Sequence, residues 1–241
     1  MNSVNIGDYK GLTYNIGENI EIVFFTAEGD LTFNRRTKVG QNNLENIKNW
    51  FHIDKVVYLN QIHSDIIHIY NGNDDIINSE GDGLITNNKN AAVGVFTADC
   101  VPVILVDNYK RVVAAIHSGW RGTYENIVGK AISLMDEKYN CNVEDIKVFI
   151  GPHNRQCCYE VSEELIHKFK KLEIFKDEDI SSGRMLSLEN CIRIELKNKG
   201  VKDENITSAN QCTFCSKDFK LFSYRRENEK EGRMYSFVFI R

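Results

Sequence analysis

Proline is nearly absent from this 241-residue chain: Pro102 and Pro152 are the only two. No Pro- or Ser-rich stretch marks a linker between domains. A basic excess is also missing. Thirty Lys and Arg face 34 Asp and Glu for a net charge of −4, without the positive balance by which a general nucleic-acid binder gathers phosphates. The longest apolar stretch, residues 91–106, is interrupted by Asp99 and falls short of the roughly 20 residues that span a bilayer. No basic segment followed by an apolar one opens the chain, so no secretory leader is read there. Seven cysteines are an odd number in a chain too long to depend on disulfide staples, and they read as thiols or metal ligands in a reducing compartment. The expectation is a soluble cytoplasmic protein, residues 1–241 forming one domain, with no nucleic-acid or membrane partner. Nothing in the sequence sets its oligomeric state.

What is present is a set of short β-branched runs. Strands are expected over 21–26, 55–59, 66–70, 91–96, 101–106, 112–117, 147–150 and 234–240. Turn-forming residues between Val106 and Val112 suggest a hairpin. Helical spacing of apolar residues covers 43–51, 124–139 and 162–172, with a further helix over 186–199. Strands before and between a few helices predict an α/β sandwich with a central mixed sheet flanked by helices. The polar stretch 176–184 reads as a surface loop.

Three polar residues interrupt or end the strongest strand signals: His63, Cys100 and His117. Imidazole and thiolate are good zinc ligands, and three protein ligands leave a fourth position open. Their separations, 37 and 17 residues, are not those of a zinc finger or ribbon. Residue types alone therefore leave three readings: ordinary hydrogen-bonded core groups, a metal site, or a Cys100 nucleophile with His117 as its base. The adjacent Asp99 is expected to raise the thiol pKa, and no helix start follows Cys100 to stabilise a thiolate, which favours metal over nucleophile.

After His117, Gly119 and Gly122 allow a tight turn, and Thr123 is the expected N-cap of a helix from Tyr124. With Arg121 beside it, that helix start is a candidate phosphate or carboxylate site formed by Arg121, Gly122 and Thr123. Arg121 pairing with Glu125 or Asp99 is the plainer alternative. Gly81-Asp82-Gly83 reads as a turn, Cys157, Cys158, Cys212 and Cys215 as structural thiols, and His153 as a residue able to face the same cleft.

The segments Asn60-Gln61-Ile62-His63-Ser64, Gly81-Asp82-Gly83-Leu84-Ile85-Thr86, Thr97-Ala98-Asp99-Cys100-Val101-Pro102 and His117-Ser118-Gly119-Trp120-Arg121-Gly122 occur in an order that resembles the YfiH family. Gly151-Pro152-His153, Cys157-Cys158-Tyr159-Glu160-Val161, Cys212-Thr213-Phe214, Phe222-Ser223-Tyr224-Arg225-Arg226 and Gly232-Arg233 extend the likeness. The family is also known as the laccase-domain or polyphenol-oxidase family, and as a purine nucleoside phosphorylase family. The resemblance implies an α/β sandwich and zinc held by His63, Cys100 and His117. It also implies phosphorolysis of adenosine, inosine, guanosine and methylthioadenosine to free base and pentose 1-phosphate, with adenosine deamination as a second activity. Purine nucleosides and phosphate are then the partners, Arg121 a catalytic phosphate-binding group, Asp99 the proton carrier and His153 its reserve. Phe25-Thr26-Ala27-Glu28-Gly29 departs from the family's Phe-Ser-Thr-Arg opening, leaving Arg35 or Arg36 to replace the missing Arg. Asn154 stands where the family commonly has Ile.

The copper-oxidase label finds little support in the residues. Six histidines with no His-x-His pair cannot build a multicopper cluster from one chain, although copper at the N/S site is an alternative occupant. A metal-free Cys-His hydrolase and a non-catalytic binding module complete the alternatives.

Overall fold

The computed structural model describes residues 2–7, 9–226 and 232–241. Fourteen strands and five α-helices follow one another in these residues: β1 (Asn2–Ile6), β2 (Tyr9–Ile16), β3 (Ile20–Phe25), α1 (Lys38–Phe51), β4 (Lys55–Val57), β5 (Ile67–Tyr70), β6 (Gly83–Thr86), β7 (Ala91–Thr97), β8 (Val101–Asp107), β9 (Val112–Ser118), α2 (Trp120–Tyr124), α3 (Ile127–Tyr139), β10 (Lys147–Ile150), α4 (Glu163–Lys170), β11 (Ser181–Ser182), β12 (Met185–Leu186), α5 (Leu188–Asn198), β13 (Ile206–Ser208) and β14 (Met234–Ile240). Every strand expected from the sequence is present within a residue or two.

The expected central sheet is a pair of stacked mixed sheets, ordered β1-β2-β3-β14-β7-β4 and β13-β10-β8-β9-β6-β5. Parallel pairing occurs at β4–β7, β5–β6 and β10–β13, and the other pairs in both sheets are antiparallel. The period-2 alternation of side chains sorts the apolar residues into three layers. On β3 and β14, Val23, Phe25, Phe237 and Phe239 meet Leu44, Ile47 and Phe51 of α1. The opposite faces of the same strands, through Ile22, Phe24 and Val238, meet Ile104 and Val106 of β8 and Val113 and Ala115 of β9. The far faces of β8 and β9, through Val103, Leu105, Ala114 and Ile116, pack on α3 and α5. The result is a helix–sheet–sheet–helix sandwich. Central strands buried on both faces need continuous apolar runs, and β7, β8 and β9 are buried at all seven positions each.

Two expectations change. The helix over 124–139 is divided by Asn126, which sits in the left-handed region at φ 58° and caps α3 by accepting from the Gly129 amide. Thr123 therefore lies inside α2 and is not an N-cap; Gly119 holds that place. The stretch 176–184 is not wholly surface, since Ile180 is fully buried and Ser181–Ser182 pairs with Met185–Leu186. Strands β1, β2, β6 and β13 escaped the sequence reading because they are short, polar or glycine-bearing.

Gly94 lies opposite Phe237 in β14. A Cβ there would stand 2.4 Å from the Tyr235 ring and 2.7 Å from the Phe237 Cβ. Gly94→Ala should lower the urea midpoint by an amount equivalent to about 1–3 kcal/mol at unchanged m-value. An unchanged midpoint would mean that the two strands part without cost.

Candidate functional site

The segments that leave the two sheets at one end enclose a cavity of about 950 Å³. Its wall includes Phe33 to Arg36, Asn60, Gln61, His63, Phe96 to Cys100, His117, Tyr159, Tyr224, Arg225 and Arg233. His117 is the penultimate residue of β9, and the hairpin register sets it opposite Pro102, beside the start of β8 and Cys100. His63 arrives on the loop between β4 and β5, itself in the left-handed region at φ 59°. That loop is pinned to the end of β7 by Gln61, whose Nε2 donates to the Phe96 carbonyl (2.8 Å) while its Oε1 accepts from the Phe96 amide (2.7 Å).

One nitrogen of His63, one of His117 and the Cys100 sulfur lie within 4.8 Å of one another. The His63 Nε2–Cys100 Sγ separation is 3.8 Å, and the two imidazole rings meet edge to face at 4.9 Å. The His117 Nδ1 is 2.7 Å from the Asp82 carboxylate, which leaves Nε2 as the donor atom. A carboxylate behind a ligating histidine fixes its tautomer and ring orientation. Asp82 has no exposed surface and also accepts from the amides of His63 and Ser64 and from the Ser64 hydroxyl. The Gly81-Asp82-Gly83 segment is thus more than a turn. Gly119 completes the cradle, because a Cβ there would come 3.0 Å from His63 Cδ2 and 3.1 Å from the Cys100 sulfur. An N₂S donor set gathered around such a gap fits a transition metal that accepts imidazole and thiolate.

Electrostatics within the triple run against the sequence expectation for Cys100. Burial pushes the thiol up, but the facing charge of His117 and hydrogen bonds from His117 and His63 outweigh it and bring the thiol down to about 6. Burial opposes the charge on His117, yet the Cys100 thiolate and the Asp82 carboxylate lift it to about 9. The groups that set the Cys100 thiol are His117 and His63 and not the adjacent Asp99, whose carboxylate is turned to other partners. It accepts from Thr213 Oγ1 at 2.6 Å and from the Arg225 amide at 2.8 Å. Asp99 nevertheless lines the cavity, held at φ 102°, a left-handed backbone value costly for a residue with a Cβ.

The remaining expected site residues stand outside this wall. Arg121 is exposed, its guanidinium 5.2 Å over the Trp120 ring. Gly122 is buried under the His63 loop, where a Cβ would meet the Ser64 carbonyl at 3.2 Å. Thr123 is buried, its hydroxyl shared with Ser118 Oγ and the Gly119 carbonyl. His153 is buried with Nδ1 2.9 Å from the Gly151 carbonyl and Nε2 3.6 Å from Glu189, and it does not line the cavity. The cavity's cations are instead Arg35, Arg36, Arg225 and Arg233. Arg35 is spread over the Tyr58 and Phe96 rings, and Arg225 over the ring of Tyr159. Arg35 and Arg36 had a signal in the sequence through the missing Arg of the family opening, and Arg225 and Arg233 only as members of family motifs to which no role was given.

In chelator-stripped protein, iodoacetamide should alkylate Cys100 with a pH midpoint near 6, and buried Cys141 and Cys191 should stay unlabelled. A Cys100 midpoint above 8.5, the unperturbed thiol value, would contradict the pairing with His117.

The chain matches the family described as multi-copper polyphenol oxidoreductase laccase over residues 28–241. It is 44% identical over 238 residues to a protein of Clostridium acetobutylicum named purine nucleoside phosphorylase, covering 99% of both chains. A Borreliella burgdorferi protein of the same name is 37% identical over 183 residues, 74% of this chain and 77% of its own. The crystal structure of YfiH from Bacillus licheniformis superposes with a TM-score of 0.83 at 26% identity, over 92% of this chain and 93% of that one. Matched in sequence over this length and in fold to YfiH itself, the chain belongs to the YfiH, or laccase-domain, family.

Proposed function

We propose that the cavity is the active site of a zinc-dependent purine nucleoside phosphorylase. It would cleave adenosine, inosine, guanosine and S-methyl-5′-thioadenosine with phosphate to the free base and a pentose 1-phosphate, with adenosine deamination as a second activity. The observation that carries the reading is the pairing of the His63–Cys100–His117 donor set with four guanidinium groups in one cavity of nucleoside size. Among the described residues none of those four guanidinium groups is ion-paired. The name of the relatives, purine nucleoside phosphorylase, supports the phosphorolysis in this reading.

Zinc held by His63, Cys100 and His117 supplies Lewis acidity at the cavity floor when bound; copper is the alternative occupant of the same donors. In phosphorolysis a phosphate oxygen forms the bond to C1′ as the C1′–N9 bond breaks and its electron pair leaves with the purine. Arg35, Arg36, Arg225 and Arg233 are placed to hold the phosphate and offset its charge, a task the sequence assigned to Arg121. Removing one preorganised donor aimed at developing charge typically costs about 2.7–4 kcal/mol. Asp99 is the proposed proton carrier, since it faces the cavity and is oriented by Thr213. A metal-free Cys-His hydrolase is the second reading, favoured by the low pKa of Cys100 beside His117.

Protein purified without added metal should carry zinc and release adenine from adenosine only with phosphate, and Cys100→Ala should lose that activity together with the zinc held by this triple. Retention of full activity after chelation would overturn the metal-dependent reading in favour of the thiol. Arg225→Ala should lower phosphorolysis about 100-fold and deamination much less, with Arg121→Ala close to wild type. Equal losses of both reactions in Arg225→Ala would remove it from the phosphate site.

A further inference from the structure

On the far side of the cavity wall, two loops bring four sulfurs together. Cys157, Cys158, Cys212 and Cys215 have their Sγ atoms all within 4.8 Å of one another, and the Cys157–Cys215 separation is 3.7 Å. The sequence reads these four as structural thiols, and adjacent cysteines on a regular strand would point to opposite faces. Cys157 and Cys158 are not on a strand. They occupy a turn in which the Arg155 carbonyl accepts from the amides of both Cys158 and Tyr159 at 2.9 Å, and the reversal directs consecutive sulfurs to one point. The Cys212-Thr213-Phe214-Cys215 loop closes on itself through the Ser216 amide and the Cys212 carbonyl, 2.9 Å apart. Hydrogen bonds from the His153 amide to the Gln211 carbonyl (3.2 Å) and from the Thr213 amide to the His153 carbonyl (2.9 Å) fix the two loops side by side.

We propose that these four cysteines form a second metal site, a tetrahedral four-thiolate zinc centre separate from the His63–Cys100–His117 triple. Zinc–sulfur bonds of about 2.3 Å at tetrahedral angles place sulfurs roughly 3.8 Å apart, the spacing already found between Cys157 and Cys215. A disulfide needs sulfurs at about 2.05 Å, and the four-sulfur gathering serves no such pair in particular. Binding exchanges four thiol protons for one zinc ion and requires no oxidant or reductant. The other described cysteines outside the cavity, Cys141 and Cys191, are buried singly in the apolar core and lie in neither group.

Such a centre would staple the wall that carries the chemistry. Cys158 precedes Tyr159, and Cys212 precedes Thr213, the donor to Asp99. Arg225 donates from Nη1 to the carbonyl of Glu160 at 2.6 Å. Holding the four sulfurs fixes Tyr159, Asp99 and Arg225 relative to one another without any of the sulfurs entering the cavity.

The test removes the first site so that the second is counted alone. A His63→Ala/Cys100→Ala variant, purified under reducing conditions, should retain about one zinc per chain by mass spectrometry of the elements. Adding Cys212→Ser and Cys215→Ser should take that to none. X-ray absorption on the first variant should show four sulfur neighbours at about 2.3 Å. Stripped of zinc and titrated with cobalt alone, it should develop the intense visible bands of a tetrahedral four-thiolate site, which guards against a serine variant that merely misfolds. A metal-free first variant, a Cys157–Cys215 disulfide in freshly reduced and repurified protein, or iron in place of zinc would each overturn the proposal. None of these readouts depends on nucleoside turnover, so failure of the phosphorylase reading would leave the result intact.

Discussion

The carboxylate of Asp82 is the constraint on which the site depends. It is fully buried, and a buried charge is costly unless every lone pair finds a partner. Here the partners come from two distant pieces of chain. The amides of His63 and Ser64 and the Ser64 hydroxyl belong to the loop between β4 and β5, and the His117 imidazole to the end of β9. Moving either piece would strand the charge. The same contacts hold the Asp82 carboxyl below the ordinary carboxylate value despite its burial, chiefly through the hydrogen bond from and charge of His117. This contribution to stability is complete above pH ~4, the unfolded value, and fades as acid protonates the folded group.

Around that anchor the sandwich provides the rigidity and the loops provide the chemistry. Strands β7, β8 and β9 are buried on both faces, so the strand ends that carry Asp99, Cys100 and His117 are set by two layers of packing. The cationic side of the cavity is assembled from three separate segments around residues 35, 225 and 233. The aromatic rings beneath Arg35 and Arg225 hold their planes by stacking, and among the described residues no carboxylate pairs with either guanidinium. Such a surface suits an oxyanion.

Much of the sandwich was legible because continuous β-branched runs announce strands buried on both faces, and β8 and β9 are nearly unbroken. The His63–Cys100–His117 triple was legible as polar interruptions of those runs, and family motifs singled it out from the other histidines and cysteines. Asp82 was hidden between two glycines that signal a turn, since its role arises from partners 18 to 35 residues away. The helix start at Thr123 was misread because Asn126 adopts a left-handed conformation that apolar spacing does not reveal. Arg121 looked like the phosphate ligand by proximity in sequence. Arg225 and Arg233, which line the cavity, lie more than 100 residues from His117 and reach it only through the fold.

The most direct test of this account is the zinc affinity of Asp82→Asn, measured by competition with a chromogenic chelator. The substitution keeps the shape of the side chain and removes the charge that orients His117 and the His63 loop. Loss of such an orienting carboxylate should weaken zinc binding about 10- to 100-fold, and the His63→Ala/Cys100→Ala background should show no such change. Wild-type affinity in Asp82→Asn would mean that the three ligands hold their places without it, and the central claim would fall.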